Sequence, residues 1–283
     1  MVAAWMSAAA GCGDGTSRWI LLRAGAEQTG AAGDNMAEDG GMQDAARAAA
    51  ADAGMASMPS DAGMLPDAEA FASACSPQVS IDNRTAAGNG ALFDQLFPEP
   101  EMLVVQLARR VCAQLYENSQ EVPPSPPIAL VIDDFYGIGE IGITAPVIYI
   151  RLSSLHMQST QAAGEDTRDD VMGALSYLLA IDYELDDENP AAVRWVTEGI
   201  AAWVRYREGY TSIDERRAGG APTNDAQTAG FFFDWLERGY PGAVYRLNQS
   251  LDPSDQMEWS EQVFVDITGK DLATLWRDYQ ASL

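Results

Sequence analysis

Residues 173–185 read GALSYLLAIDYEL and residues 195–210 read WVTEGIAAWVRYREGY. These runs lie in the first two of a train of helical segments, predicted over about 168–183, 192–208, 225–238, 241–249, 257–267 and 271–281. In the last of them Leu272, Leu275, Trp276 and Tyr279 share one face, so that helix docks and the C-terminus is ordered. Upstream the pattern changes to strands: VSIDN at 79–83, IALVID at 128–133 and PVIYIRLS at 146–153. Between the first two lies a helix over about 101–117, in which Leu103, Leu107, Val111 and Leu115 recur every four residues as a buried stripe. The PPSPP stretch at 123–127 ends it and forces an extended entry into the next strand. Strands first and helices after is the order of an α+β domain.

The chain has 283 residues, 47% of them hydrophobic, with 7 Trp, 10 Tyr and 8 Phe, enough to build a core. Apart from Trp5, Trp19 and Phe71, every aromatic lies after residue 90, so the core belongs to the C-terminal part. The formal charge is −25, and residues 1–76 hold ten acids against three arginines. Lys270 is the single lysine. Such a chain repels phosphate backbones and anionic headgroups, which excludes nucleic acid and lipid surfaces as electrostatic partners. The charge itself reads as solubility.

Three divisions follow. Residues 1–23 form a signal-like segment in which MSAAAGC at 6–12 resembles a bacterial lipobox, with Cys12 the residue that would receive lipid. An ordinary cysteine in a tail is the other reading. Residues 24–76 are Ala, Gly, Asp, Met and Ser, with DAGM at 52–55 repeated at 61–64 and no hydrophobic periodicity, and they read as a disordered spacer. Residues 77–283 are the folded domain. Without an apolar run of about eighteen residues, a membrane is reached only through a lipid anchor. The expectation is an exported protein, either lipid-anchored at the cell surface or periplasm, or secreted. A bridge between Cys75 and Cys112 suits such a protein and leaves Cys12 spare.

The succession VSIDNRT, PVIYIRLS, GALSYLLAIDYEL, WVTEGIAAWVRYREGY, TAGFFFDWLERGYPGAVYRLN and ITGKDLATLWRDYQ resembles the basic secretory proteins, a zincin-like peptidase family of plants and bacteria. The resemblance spans 77–283. Its most specific piece is EGIAAWVRYREGY at 198–210, followed by TGKDLATLW. It implies a zincin-like metallopeptidase fold, with a mixed strand and helix part ahead of a helical part. The adjective "basic" does not transfer to so acidic a chain.

In that family the helix matching 173–182 carries HExxH, two histidines one turn apart that bind zinc and a glutamate that acts as general base. Here Tyr177 and Ile181 stand in the histidine positions and Leu178 in the glutamate position. The third family ligand matches Glu198, which is retained, and Ala202 replaces the aspartate that usually follows. The single histidine, His156, lies outside both helices. One carboxylate does not hold zinc, so the cofactor expected of the family has lost its ligands and no catalytic residue is assigned. Glu198, Tyr177 and Ile181 mark where the cleft should lie; as plain structure they are a hydrogen-bonded carboxylate and two helix packing residues.

The run Asp182, Glu184, Asp186, Asp187, Glu188 and Asn189 is rich in calcium-type oxygens. It lacks EF-hand spacing and reads as a solvated loop. His156 beside Ser153 and Ser154 makes no triad, since no GxSxG elbow is present. Two functions stay open. One is a non-catalytic domain that binds peptide or cell-surface polymer in the former active-site cleft, by strand addition to PVIYIRLS read as the edge strand. The other is a repurposed metal-dependent hydrolase using Glu198 and further ligands.

Overall fold

The computed structural model describes residues 18–22, 66–144, 146–185, 190–255 and 258–283. Cys12, both DAGM repeats and residues 186–189 of the acidic run lie outside them.

A five-stranded sheet leads the fold, in the order β1-β4-β5-β3-β2. The strands are β1 (Arg18–Leu22), β2 (Val79–Asn83), β3 (Ile128–Asp133), β4 (Gly139–Thr144) and β5 (Val147–Ser153). β2, β3 and β5 run parallel, with Val79 opposite Ile128 and Ile128 opposite Ile148. β4 returns antiparallel to β5, Ile141 opposite Ile150, and β1 lies antiparallel on β4, Ile20 opposite Ile141. The apolar run of β3 buries Ile128, Leu130, Val131 and Ile132, as expected of an inner strand covered on both faces.

Two short helices, α1 (Pro66–Ala74) and α2 (Ala91–Leu96), and the longer α3 (Pro100–Leu115) flank the first strands. α3 buries Val104, Leu107, Ala108, Val111, Cys112 and Leu115, so its stripe is broader than the four-residue repeat alone predicts, and Leu103 sits at its margin. Cys75, just past α1, is bonded to Cys112 in the last turn of α3. By chain entropy a bridge closing 37 residues contributes about 4 kcal/mol.

After β5 the chain is helical: α4 (Ser154–Ala163), α5 (Thr167–Tyr183), α6 (Pro190–Arg207), α7 (Ala226–Gly239), α8 (Ala243–Gln249), α9 (Gln262–Thr268) and α10 (Leu272–Gln280). Acidic caps start three of them. Asp166 accepts from the amides of Arg168 and Asp169, Asp225 from Thr228, and Asp271 from Thr274. α6 and α7 pack through reciprocal glycines. A Cβ on Gly199 would lie 2.7 Å from the Cβ of Ala229, and one on Gly230 would lie 2.9 Å from the Ala202 backbone. Beyond them Phe232 meets Trp276 at 5.5 Å and Tyr279 at 5.7 Å between ring centres, while Trp195 stacks on Phe264 at 5.9 Å. These aromatics dock α9 and α10 on α6 and α7.

The architecture is α+β. Two expectations are corrected. β5, read as the edge strand, is an inner strand paired on one side with β3 and on the other with β4. Its alternating burial, with Ile148, Ile150, Leu152 and Ser153 enclosed, puts one face of the strand against the core. Ordered structure also reaches into the segments read as leader and spacer, where 18–22 form β1 and 66–74 form α1. The pairing of β1 is long-range and the docking of α1 rests on a covalent bridge, so neither leaves a local periodicity to read.

Candidate functional site

α5 is the axis of the candidate site. Every residue from Val171 to Ala180 is buried, so this helix is apolar all round and has no solvent stripe. Leu178 is fully buried and rests over the start of β4: a Cβ on Gly139 would come 2.9 Å from its Cδ1. Residue 178, read from the sequence as the general-base position, is hydrocarbon packed against the sheet. Ile181 is partly buried and packs on the same core.

Tyr177, 5% exposed, faces α6. Burial, followed by the nearby carboxylates of Glu198 and Glu184, pushes its phenol far above the ordinary tyrosine range, so it stays protonated. Arg194 and Arg205 oppose that effect. Glu198 is held by Arg194 one turn earlier on α6, Nε to Oε1 2.7 Å. The retained carboxylate thus already has a cation. Ala202 packs closely against α7 at Gly230.

His156 lies on α4, beside the start of α5. Its Nε2 is 2.7 Å from Oδ2 of Asp170 in the first turn of α5, and the guanidinium of Arg205 approaches the other oxygen at 3.9 Å. Asp170 precedes Tyr177 by two turns, roughly 10 Å at 1.5 Å per residue, so His156 does not join Glu198 in one donor set. Arg205 crosses α5 where Gly173 makes space: a Cβ there would meet its Nε at 2.9 Å and the Cβ of Tyr210 at 2.9 Å. The sequence reading missed this His–Asp–Arg group, because its members come from three helices. Only the glycine at 173 hinted that another group crosses α5.

Ser153 and Ser154 serve the backbone. The hydroxyl of Ser153 donates to the Phe135 carbonyl at 2.6 Å and accepts from the His156 amide at 3.1 Å, capping α4. Ser154 donates to the Asp133 carbonyl at 3.2 Å. Within the acidic run, burial pushes the Asp182 carboxyl up to about 7. Its Oδ2 is enclosed with no hydrogen-bond partner among the described residues.

Among the described residues, no three His, Cys, Asp or Glu side chains are grouped so as to hold a metal. Zinc does not fit the donors present: one ion-paired carboxylate, with a phenol, a leucine and an isoleucine where the other ligands and the base would stand. No described helix is long and apolar enough to cross a membrane.

Residues 76–279 match the family of basic secretory proteins, described as peptidases of plants and bacteria, and the chain belongs to that family. No curated protein and no solved structure matches it.

Proposed function

We infer that this chain is a zincin-like domain that has given up peptide cleavage and keeps the site as a binding surface for extended peptide or cell-surface polymer. One observation carries the reading. The four positions that would supply two histidines, a base and a carboxylate hold Tyr177, Ile181, Leu178 and an Arg194-paired Glu198, three of them packed into or onto the core. Without metal the family's nucleophile is absent, and without a base the rate falls by a further 10² to 10⁴ or so. The family's peptide recognition needs neither, because strand addition uses backbone N–H and C=O groups along a sheet edge. The strand concerned is β4, whose first residue lies over Leu178 and whose outer side is lined by β1. Export, with anchoring through Cys12 or release, places such a domain where peptides and wall polymers are found.

The test is the zinc content of the full chain purified without chelator, read by elemental mass spectrometry. Less than about a tenth of an equivalent is expected. Stoichiometric, chelator-removable zinc overturns the reading and returns the hydrolase alternative with Glu198 as a ligand.

A further inference from the structure

β4 is not a bare edge. Arg18 to Leu22 lie along it antiparallel, each opposite one residue from Ile143 back to Gly139. β1 stands last in the sheet order, so β4 is its only strand partner. Residues 23–65 separate it from α1, the next described element. The strand that covers the edge is thus joined to its sheet through a long covalent connection and is not part of the local meander.

Magnitudes place this strand near balance. A registered backbone hydrogen bond nets about 0.5–1.5 kcal/mol. Fixing the backbone of each residue costs about 1–2 kcal/mol. On these backbone terms alone, five residues paired on one side gain about what they lose. What favours them is the tether, which holds the strand near its edge at an effective concentration on the order of millimolar. An external strand with the same backbone can take its place. Its chemistry is indicated by RWILL and Arg23, an apolar core flanked by cations, against a chain of net charge −25.

We propose that residues 18–22 are a tethered, displaceable occupant of the β4 docking edge, and that an extended apolar peptide with flanking arginines binds by replacing them. The proposal rests on the peptide-binding reading above and adds that the site is self-occupied. The chain would then show a lower apparent affinity for peptide than its edge possesses, reduced by the fraction of molecules in which β1 is detached.

The experiment uses the full chain and its double variant Trp19→Pro with Ile20→Pro, which removes two successive backbone donors of β1. The probe is a fluorescent peptide of residues 16–24, TSRWILLRA, with a backbone N-methylated version as control. Hydrogen exchange at 139–144 is followed in parallel. The expected result is faster exchange of β4 amides in the variant, and peptide binding tighter than in the parent by about tenfold or more, abolished by N-methylation. Equal affinity for the two proteins, or unchanged β4 exchange, overturns the proposal. Unrelated extended peptides that bind parent and variant alike would overturn self-occupation and leave the peptide-binding reading standing. Absence of any peptide binding to either protein removes both. A parent that is a dimer and becomes monomeric in the variant overturns occupation within one chain, because it shows that the strand is exchanged between copies.

Discussion

The α5–α6 pair and the β4 edge touch at Leu178 and Gly139, yet they carry opposite chemistry. The helix pair is closed: Tyr177 and Leu178 are buried, and Glu198 is committed to Arg194. β4 is held through backbone pairing with β1 and β5, which no side-chain substitution on α5 can remove. Catalysis in this architecture depends on a few side chains converging on one point, whereas recognition depends on a row of main-chain groups. The first can disappear through three substitutions while the second survives intact.

That division can be broken most directly by putting ligands back. Tyr177→His with Ile181→His sets two imidazoles one turn apart beside Glu198. We expect zinc to rise from under about a tenth of an equivalent to about one, a gain of several orders of magnitude in affinity, measured by competition with a chromogenic chelator. If zinc stays unbound, with the variant folded by circular dichroism, α5 and α6 no longer hold the family's geometry.

Next in size is the packing of the lost base position. Leu178→Ala should cost about 2–5 kcal/mol in urea unfolding, because Leu178 is fully buried and fills the space over Gly139 beside Leu152. A loss under about 1 kcal/mol would place residue 178 in an open cleft, a shape suited to chemistry and not to packing.

The smallest effect, taken per pH unit, sharpens the boundary between the pair and its neighbouring acidic run. With the Asp182 carboxyl raised to about 7, the folded chain binds more protons than the unfolded chain between about pH 4 and 7. Its contribution to stability is therefore full below the unfolded value and is lost as pH rises through about 7. Asp182→Asn should remove this slope and leave the variant more stable than the parent at pH 8, the gap vanishing near pH 4 and growing by about 1.4 kcal/mol per pH unit up to about 7. A pH-independent gap in thermal melts would mean that the carboxylate is already ionised and paired in the fold.

Much of the frame could be read from local pattern. β2 and β3 fall where their β-branched runs ended, and α5, α6, α7 and α10 stop within two or so residues of the expected bounds. What escaped was long-range. β4, GEIGIT, carries two glycines and no run of β-forming residues, and β1 lies in a segment that read as a leader. Without those two strands the order of the sheet could not be known, and β5 passed for an edge. Tyr177, Leu178, Ile181 and Glu198 were singled out by the family's spacing alone, and the structure adds their burial and the Arg194 pair of Glu198. The partners Arg194 for Glu198 and Asp170 for His156 were not legible, since any of several nearby charges would have satisfied the pattern equally.

The Cys75–Cys112 bond closes residues 75–112 into a covalent ring with β2 and α2 inside it. Considered as a load path, a pull arriving from the N-terminal side first strains β1 on β4 and, once that strand gives way, passes through α1 and is shunted at Cys75 directly into α3. The strand and helix enclosed by the ring carry none of it. Stretching this protein from its N-terminus would extend at most the residues ahead of 75 before the tension reached the end of a helix packed against α5, and the span between the two cysteines would contribute no added length.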